Sequence, residues 1–230
     1  MPTQILHLSE LGGAQWVLPV YAKANAWHSQ HGQPPLPTVV TQLGLHISIR
    51  LNLLHWATIR LNGNLKALKS KASAAKLPQH VFFPGKPGVA LPIDNELKYL
   101  VIADMHLFIT ELDACIDHLK VFMHEIHAYV GKPIDDAMRI AIINGWMQKR
   151  GIDPRWFGRL AHCRNFVAHK GALYLAFDIT RPDWDLLLLK ENVQIPTPAQ
   201  CFRLSALVQI HKDFAACKQA LQDHLVDLLA

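Results

Sequence analysis

The stretch that follows Asp94 places apolar side chains at three- and four-residue steps through Leu97, Leu100, Val101, Met105, Phe108, Leu112, Ile116, Leu119 and Met123, ending near Gly131. That spacing returns to one face of a 3.6-residue helix. A helix of about nine turns carries an apolar stripe that only other long elements can cover. Such elements are present. Thr38 to about Ala75 reads as a second long helical region, with a possible break at Asn62-Gly63-Asn64. Pro133 opens a shorter helix to about Arg150. Asp153-Pro154 supplies an N-cap acid and a first-turn proline, and Gly171 a left-handed stop, for a helix over roughly 154–170. Thr197-Pro198-Ala199-Gln200 has the spacing of a capping box, opening an amphipathic helix that runs nearly to Ala230.

Two segments depart from helical periodicity. Leu173 to Thr180 and Trp184 to Ile195 flank the turn-forming Arg181-Pro182-Asp183, which predicts a small hairpin. Residues 28–37 and 77–93 are rich in Pro, Gly and Gln and read as loops. The expected fold is therefore all-α, an antiparallel helical bundle of four to six helices with a β-hairpin as embellishment. Residues 1–37 are set apart as an N-terminal extension, and 38–230 as one bundle domain with a basic N-terminal region. At 230 residues, half of them apolar, the chain has enough side chain for such a core.

Composition narrows the setting. Four cysteines at 115, 163, 201 and 217 form no C-x-x-C pair, and the first residues lack a signal-peptide pattern, so a reducing cytoplasm is expected. The most apolar stretch, Thr38 to Ile59, is interrupted by His46, Arg50, Asn52 and His55, which argues against a membrane span. Charge is unevenly placed. Residues 1–93 carry eight Lys and Arg against Glu10 alone, a balance of +7, whereas 94–230 carry 15 against 17, a balance of −2. Lys66, Lys69, Lys71 and Lys76 cluster within the basic part. Such a patch either attracts a phosphate backbone or is a solvated lysine face; charge alone leaves both open.

Motif chemistry is mostly negative. No P-loop, dinucleotide-binding glycine pattern or nucleophile elbow occurs, so nucleotide hydrolysis, hydride transfer and common esterase chemistry lack support, and no cofactor is implied. His118, His124, Glu125 and His127 share one helix, but His124 and His127 stand three apart rather than four and no third ligand is evident, so no metal is expected. Cys163 and Cys217 read as small buried hydrophobes. The remaining signal lies in the capped helix after Asp153. At 100° per residue, Trp156, Leu160, Cys163 and Val167 form its apolar stripe, while Arg159, His162, Asn165 and His169 fall on another, with Arg164 beside them and Lys170 just beyond.

The segment Arg164-Asn165-Phe166-Val167-Ala168-His169 resembles the signature of the HEPN domains, an arginine followed after four to six residues by histidine, often with Asn next to the arginine. Arg50 to His55 and Arg155 to His162 share the spacing, but in neither does Asn directly follow the arginine. The resemblance implies an all-helical fold and, as in many members, a metal-independent endoribonuclease of a toxin–antitoxin, phage-defence or CRISPR system, whose two motifs meet across a homodimer seam. It implies Arg164 and His169 as catalytic residues, Asn165 as their polar support and RNA as substrate, with an antitoxin or other protein as a further partner. Arg159, His162, Lys170, Lys66 and Lys69 are the candidate RNA-binding residues.

The chemistry suits the residues. RNA carries its own nucleophile, the 2′-hydroxyl, so scission needs a proton acceptor and a group that stabilises charge on phosphate. Imidazole titrates near neutrality and guanidinium offers a fixed fork to phosphate oxygens. On a regular helix, however, Arg164 and His169 stand about 140° apart, so either the helix loosens before His169 or two chains combine. Two alternatives stay open: Arg164 pairs with a neighbouring acid while His169 satisfies carbonyls of the last turn, or the protein is a non-catalytic helical module that binds protein or nucleic acid without cleaving it.

Overall fold

The computed structural model describes residues 15–74, 95–168, 174–180, 183–191, 193 and 196–230. In chain order its elements are α1 (Leu18–His31), α2 (Thr38–Ala74), α3 (Asn95–Tyr129), α4 (Asp136–Lys149), α5 (Trp156–Ala168), β1 (Tyr174–Asp178), β2 (Asp185–Leu189), β3 (Cys201–Arg203) and α6 (Leu204–Leu228). The fold is all-α with a small antiparallel sheet attached, as the periodicity predicts.

The central element is α3. Val101, Met105, Ile109, Leu112, Cys115, Phe122 and Ile126 are fully buried along it. It packs lengthwise against α2 and, further round, against α5 and α6. One continuous core runs from Trp16 through these helices to Leu229 and takes in Leu186 and Leu188 of β2.

Several boundaries differ from the sequence expectation, each for a local reason. The segment set apart as an N-terminal extension contains α1, whose Val20 and Ala24 are fully buried in the common core, and α1 continues through His28 to His31 before Gly32 closes it at φ +61°. Helix α2 passes through Asn62-Gly63-Asn64 unbroken. Gly63 faces open space there, while Leu61 and Leu68 are buried and Asn64 donates to Asp104, so tertiary contacts outweigh the weak glycine propensity. Helix α4 starts three residues after Pro133, where the Asp135 carboxylate accepts the Met138 N–H at 2.7 Å.

The capping box at Thr197 is the clearest correction. Gln200 does reach back to the Thr197 N–H at 3.1 Å, but this closes only a turn. Cys201–Arg203 then add a third strand to the predicted hairpin, in the order β1-β2-β3. Helix α6 begins at Leu204 and takes its cap from elsewhere: Asp185 of β2 accepts both the Ser205 N–H, at 3.2 Å, and the Ser205 hydroxyl, at 2.6 Å. A carboxylate at a helix N-terminus meets unpaired N–H groups and the positive end of the dipole. The four leucines of β2 point alternately to two apolar surroundings. Leu186 and Leu188 join the main core, and Leu187 and Leu189 meet Cys201 and Ala176.

Where α1 crosses α2, Tyr21 hydrogen-bonds the carbonyls of Val40 and Thr41, each at 3.2 Å, and its ring lies over Gly44. A methyl group at position 44 would stand 2.7 Å from the Tyr21 Cζ. Gly44→Ala is accordingly expected to destabilise the protein by about 1–3 kcal/mol, despite alanine's better helix propensity, as read by urea denaturation; an unchanged or raised midpoint would contradict this crossing.

Candidate functional site

Helix α5 is fixed at its start by Asp153. Its carbonyl accepts the Trp156 N–H at 3.2 Å and its carboxylate accepts the Arg155 N–H at 3.0 Å. Trp156, Leu160, Cys163, Phe166 and Val167 are then turned into the core against α3 and α6. This is the apolar stripe read from the sequence, with Phe166 added. Phe166 stands edge-on to Phe202 of β3 at 5.7 Å, which joins the sheet to the helix.

The polar residues of α5 separate into two groups. Arg159 is drawn inward. It donates to Asp153 at 2.8 Å and to Asp213 of α6 at 3.1 Å, and Gln209 also donates to Asp213. Asp213 is buried. Arg159 therefore ties the start of α5 to α6, with a carboxylate on each of its two terminal nitrogens and 35% of its side chain still exposed. His162, Arg164 and Asn165 are exposed. His162 leans toward the Phe166 ring, 6.5 Å between centroids.

Arg164 donates through Nη1 to Asp113 of α3 at 2.8 Å and keeps 49% of its side chain exposed. The carboxylates of Asp113 and, more weakly, Asp117 hold its guanidinium above its ordinary pKa, so it is charged at every accessible pH. The pairing with an acid that the sequence left open is thus present, and it leaves part of the fork facing solvent. His169 and Lys170, which follow Ala168, lie outside the described residues. Asp113 was not singled out from the sequence; a lone acid fifty residues away gives no local signal of which arginine it meets.

The other candidate cations lie elsewhere. Lys69 of α2 donates to the Asp183 carbonyl at the β1–β2 turn, 3.0 Å away, and Lys66 is exposed one turn earlier. Neither belongs to the group around Arg164 and Asp113. Arg50 and Arg60, counted in the basic N-terminal third, are taken up by α3: Arg50 donates to Glu111 at 2.7 Å, and Arg60 to the wholly buried Asp104 at 2.9 Å.

The histidines of α3 diverge. His124 accepts from Arg139 at 2.7 Å. His127 is buried, with Nδ1 against the Lys132 carbonyl at 3.2 Å and Nε2 2.9 Å from Nε2 of His224. Burial lowers the pKa of both His127 and His224; charge on nearby His124 and Lys132 lowers His127 further, and His127 lowers His224, so both rings favour the neutral form. Among the described residues no three His, Cys, Asp or Glu side chains are placed to hold a metal ion, and no described helix is long and apolar enough to cross a membrane. Cys163 is buried and its thiol is pushed up to about 11 by desolvation, as an inert core thiol would be. Comparison of the chain with protein-family models, with characterised proteins and with solved structures finds no match.

The two arginines should respond differently to removal. Arg159→Ala leaves a buried carboxylate without its cation and is expected to cost about 1–3 kcal/mol of stability, whereas Arg164→Ala leaves the urea midpoint nearly unchanged. Equal effects would contradict the division between a structural and an available guanidinium.

Proposed function

We propose that this protein is a metal-independent endoribonuclease acting through Arg164 and His169, with Asn165 as polar support. The observation that carries the reading is the half-exposed guanidinium of Arg164, oriented by Asp113 and set beside the exposed Asn165, in the one of three Arg-to-His spacings whose arginine is directly followed by Asn. A surface arginine with one N–H committed to a carboxylate keeps further donors for a phosphate oxygen. Orientation by an acid also lowers the cost of ordering the side chain when substrate binds.

In this reading the RNA 2′-oxygen attacks the adjacent phosphorus as His169 takes its proton. Arg164 stabilises the charge that builds on the non-bridging oxygens. The bond from phosphorus to the 5′-oxygen breaks, and that oxygen leaves with a proton relayed by the imidazole. The products are a 2′,3′-cyclic phosphate and a 5′-hydroxyl, and no metal or other reactant is needed. The partners are RNA and a second copy of the chain; a toxin or defence role, with a protein antitoxin, and a cytoplasmic setting belong to the same reading. Exposed Lys66 would add non-specific attraction for the backbone.

One observation favours a second reading. The carboxylates of Asp113 and Asp117 beside Arg164 repel a phosphate, which suits a non-catalytic interaction module. The two readings part on turnover. Wild-type protein is expected to cleave single-stranded RNA in EDTA, leaving cyclic phosphate ends, and Arg164→Ala and His169→Ala, purified in parallel, to lose about 100-fold or more of the rate. Equal cleavage by all three proteins, or none by the wild type, would overturn the nuclease reading.

A further inference from the structure

Helix α2 has two apolar faces, and among the described residues only one of them is packed. Its inner face places Val40, Ile47, Leu54, Ala57, Leu61 and Leu68 in the core. On the outside, Leu45, Ile49, Leu53, Trp56 and Ile59 are all exposed, Trp56 by 65% and Leu45 by 57%. Leu45, Ile49, Asn52, Trp56 and Ile59 follow one another at steps of four, three, four and three residues. This is the seam spacing of paired helices. At 100° per residue the outer set lies within a sector centred opposite the buried one, so the stripe points directly away from α3.

We propose that this outer stripe of α2 is the surface on which a second copy of the chain docks, helix antiparallel to helix about a twofold axis near residues 52–53. Three observations choose this occupant. The stripe from Leu45 to Ile59 has no acid, and the only Lys or Arg side chains from Thr38 to Arg60 are Arg50 and, at the end of the stripe and exposed, Arg60, each paired with a carboxylate of α3. Two copies therefore meet without like-charge repulsion. The stripe is also self-complementary, since a twofold at that point sets the large Trp56 against Ile49 and Leu45 against Ile59 and Arg60, as an isologous contact requires. Finally, the five side chains expose on the order of 500 Å² per copy, or about 1,000 Å² for a pair before their neighbours are counted, which reaches the size of a specific interface.

This interface is independent of the nuclease reading, and it differs from the motif seam that the resemblance implies. On α3, Asp104 and Glu111 face α2, whereas Asp113, nearly half a turn further round, faces Arg164. Docking through α2 thus keeps the two Arg164 side chains on the far sides of the dimer.

Sedimentation of the full chain at tens of micromolar tests this. Wild type is expected at twice 25.9 kDa, and Trp56→Glu with Ile49→Glu, which set like charges against each other across the axis, at half that mass, with unchanged far-ultraviolet circular dichroism because both positions are outside the core. Leu53→Cys, close to the axis, is expected to form an interchain disulfide on mild oxidation, and Ala161→Cys on the exposed face of α5 is not. A monomeric wild type would overturn the proposal, as it would if a segment of the same chain or an unrelated partner covers the stripe. A dimer that survives the double substitution, or that cross-links through Ala161→Cys instead, would also overturn it and return the contact to the motif seam.

Discussion

A fully buried carboxylate has to be matched by donors, and Asp104 sets the terms on which the two longest helices meet. It accepts from Arg60 and from Asn64 at 3.0 Å, both on α2, while seven residues further along α3 Glu111 accepts from Arg50. The order is reversed on the two helices, so the pairs together permit one antiparallel register. Sliding by a turn would strand Asp104 without its donors, at a cost of several kcal/mol. Apolar packing between long amphipathic helices tolerates several alignments; a buried charge with specific partners does not. The same helix then presents Asp113 on another side to Arg164, so α3 orders α2 and places the candidate site on α5.

This arrangement explains the uneven charge of the chain. A +7 N-terminal third and an acidic remainder suggest a cationic surface for a polyanion, but part of that asymmetry is a division of labour between α2 and α3. Arg50 and Arg60 are ion-paired with acids from the other half of the sequence, and Lys69 reaches a carbonyl at the hairpin. What is left outside on α2 is apolar over its first half and basic toward its end. The lysines that remain exposed are a weaker footprint for RNA than the count of eight basic residues suggests.

The long helices, the hairpin and the apolar stripe of α5 were legible because each depends on periodicity or on a cap a few residues away. Helix α1 was missed since its stretch contains only two fully buried positions and sits beside a Pro- and Gly-rich segment. The start of α6 was misplaced for another reason. The Thr197–Gln200 box closes its own turn, but the cap that starts the helix comes from Asp185, nineteen positions before Leu204. Arg159 and Arg164 look equivalent on a helical wheel. What separates them is which acid each meets, Asp213 on α6 or Asp113 on α3, and that is decided by packing between helices rather than by spacing along one.

The dependence of the fold on the α2–α3 register is measured most directly by a double-mutant cycle on Arg60 and Asp104. Unfolding free energies of wild type, Arg60→Met, Asp104→Asn and the double variant should yield a coupling of about 1–3 kcal/mol, with each single substitution costing more in the presence of the intact partner than in its absence. Additivity of the two substitutions to within about 0.5 kcal/mol would mean that the pair does not hold the helices in register, and the account of how α3 positions the rest of the molecule would fail.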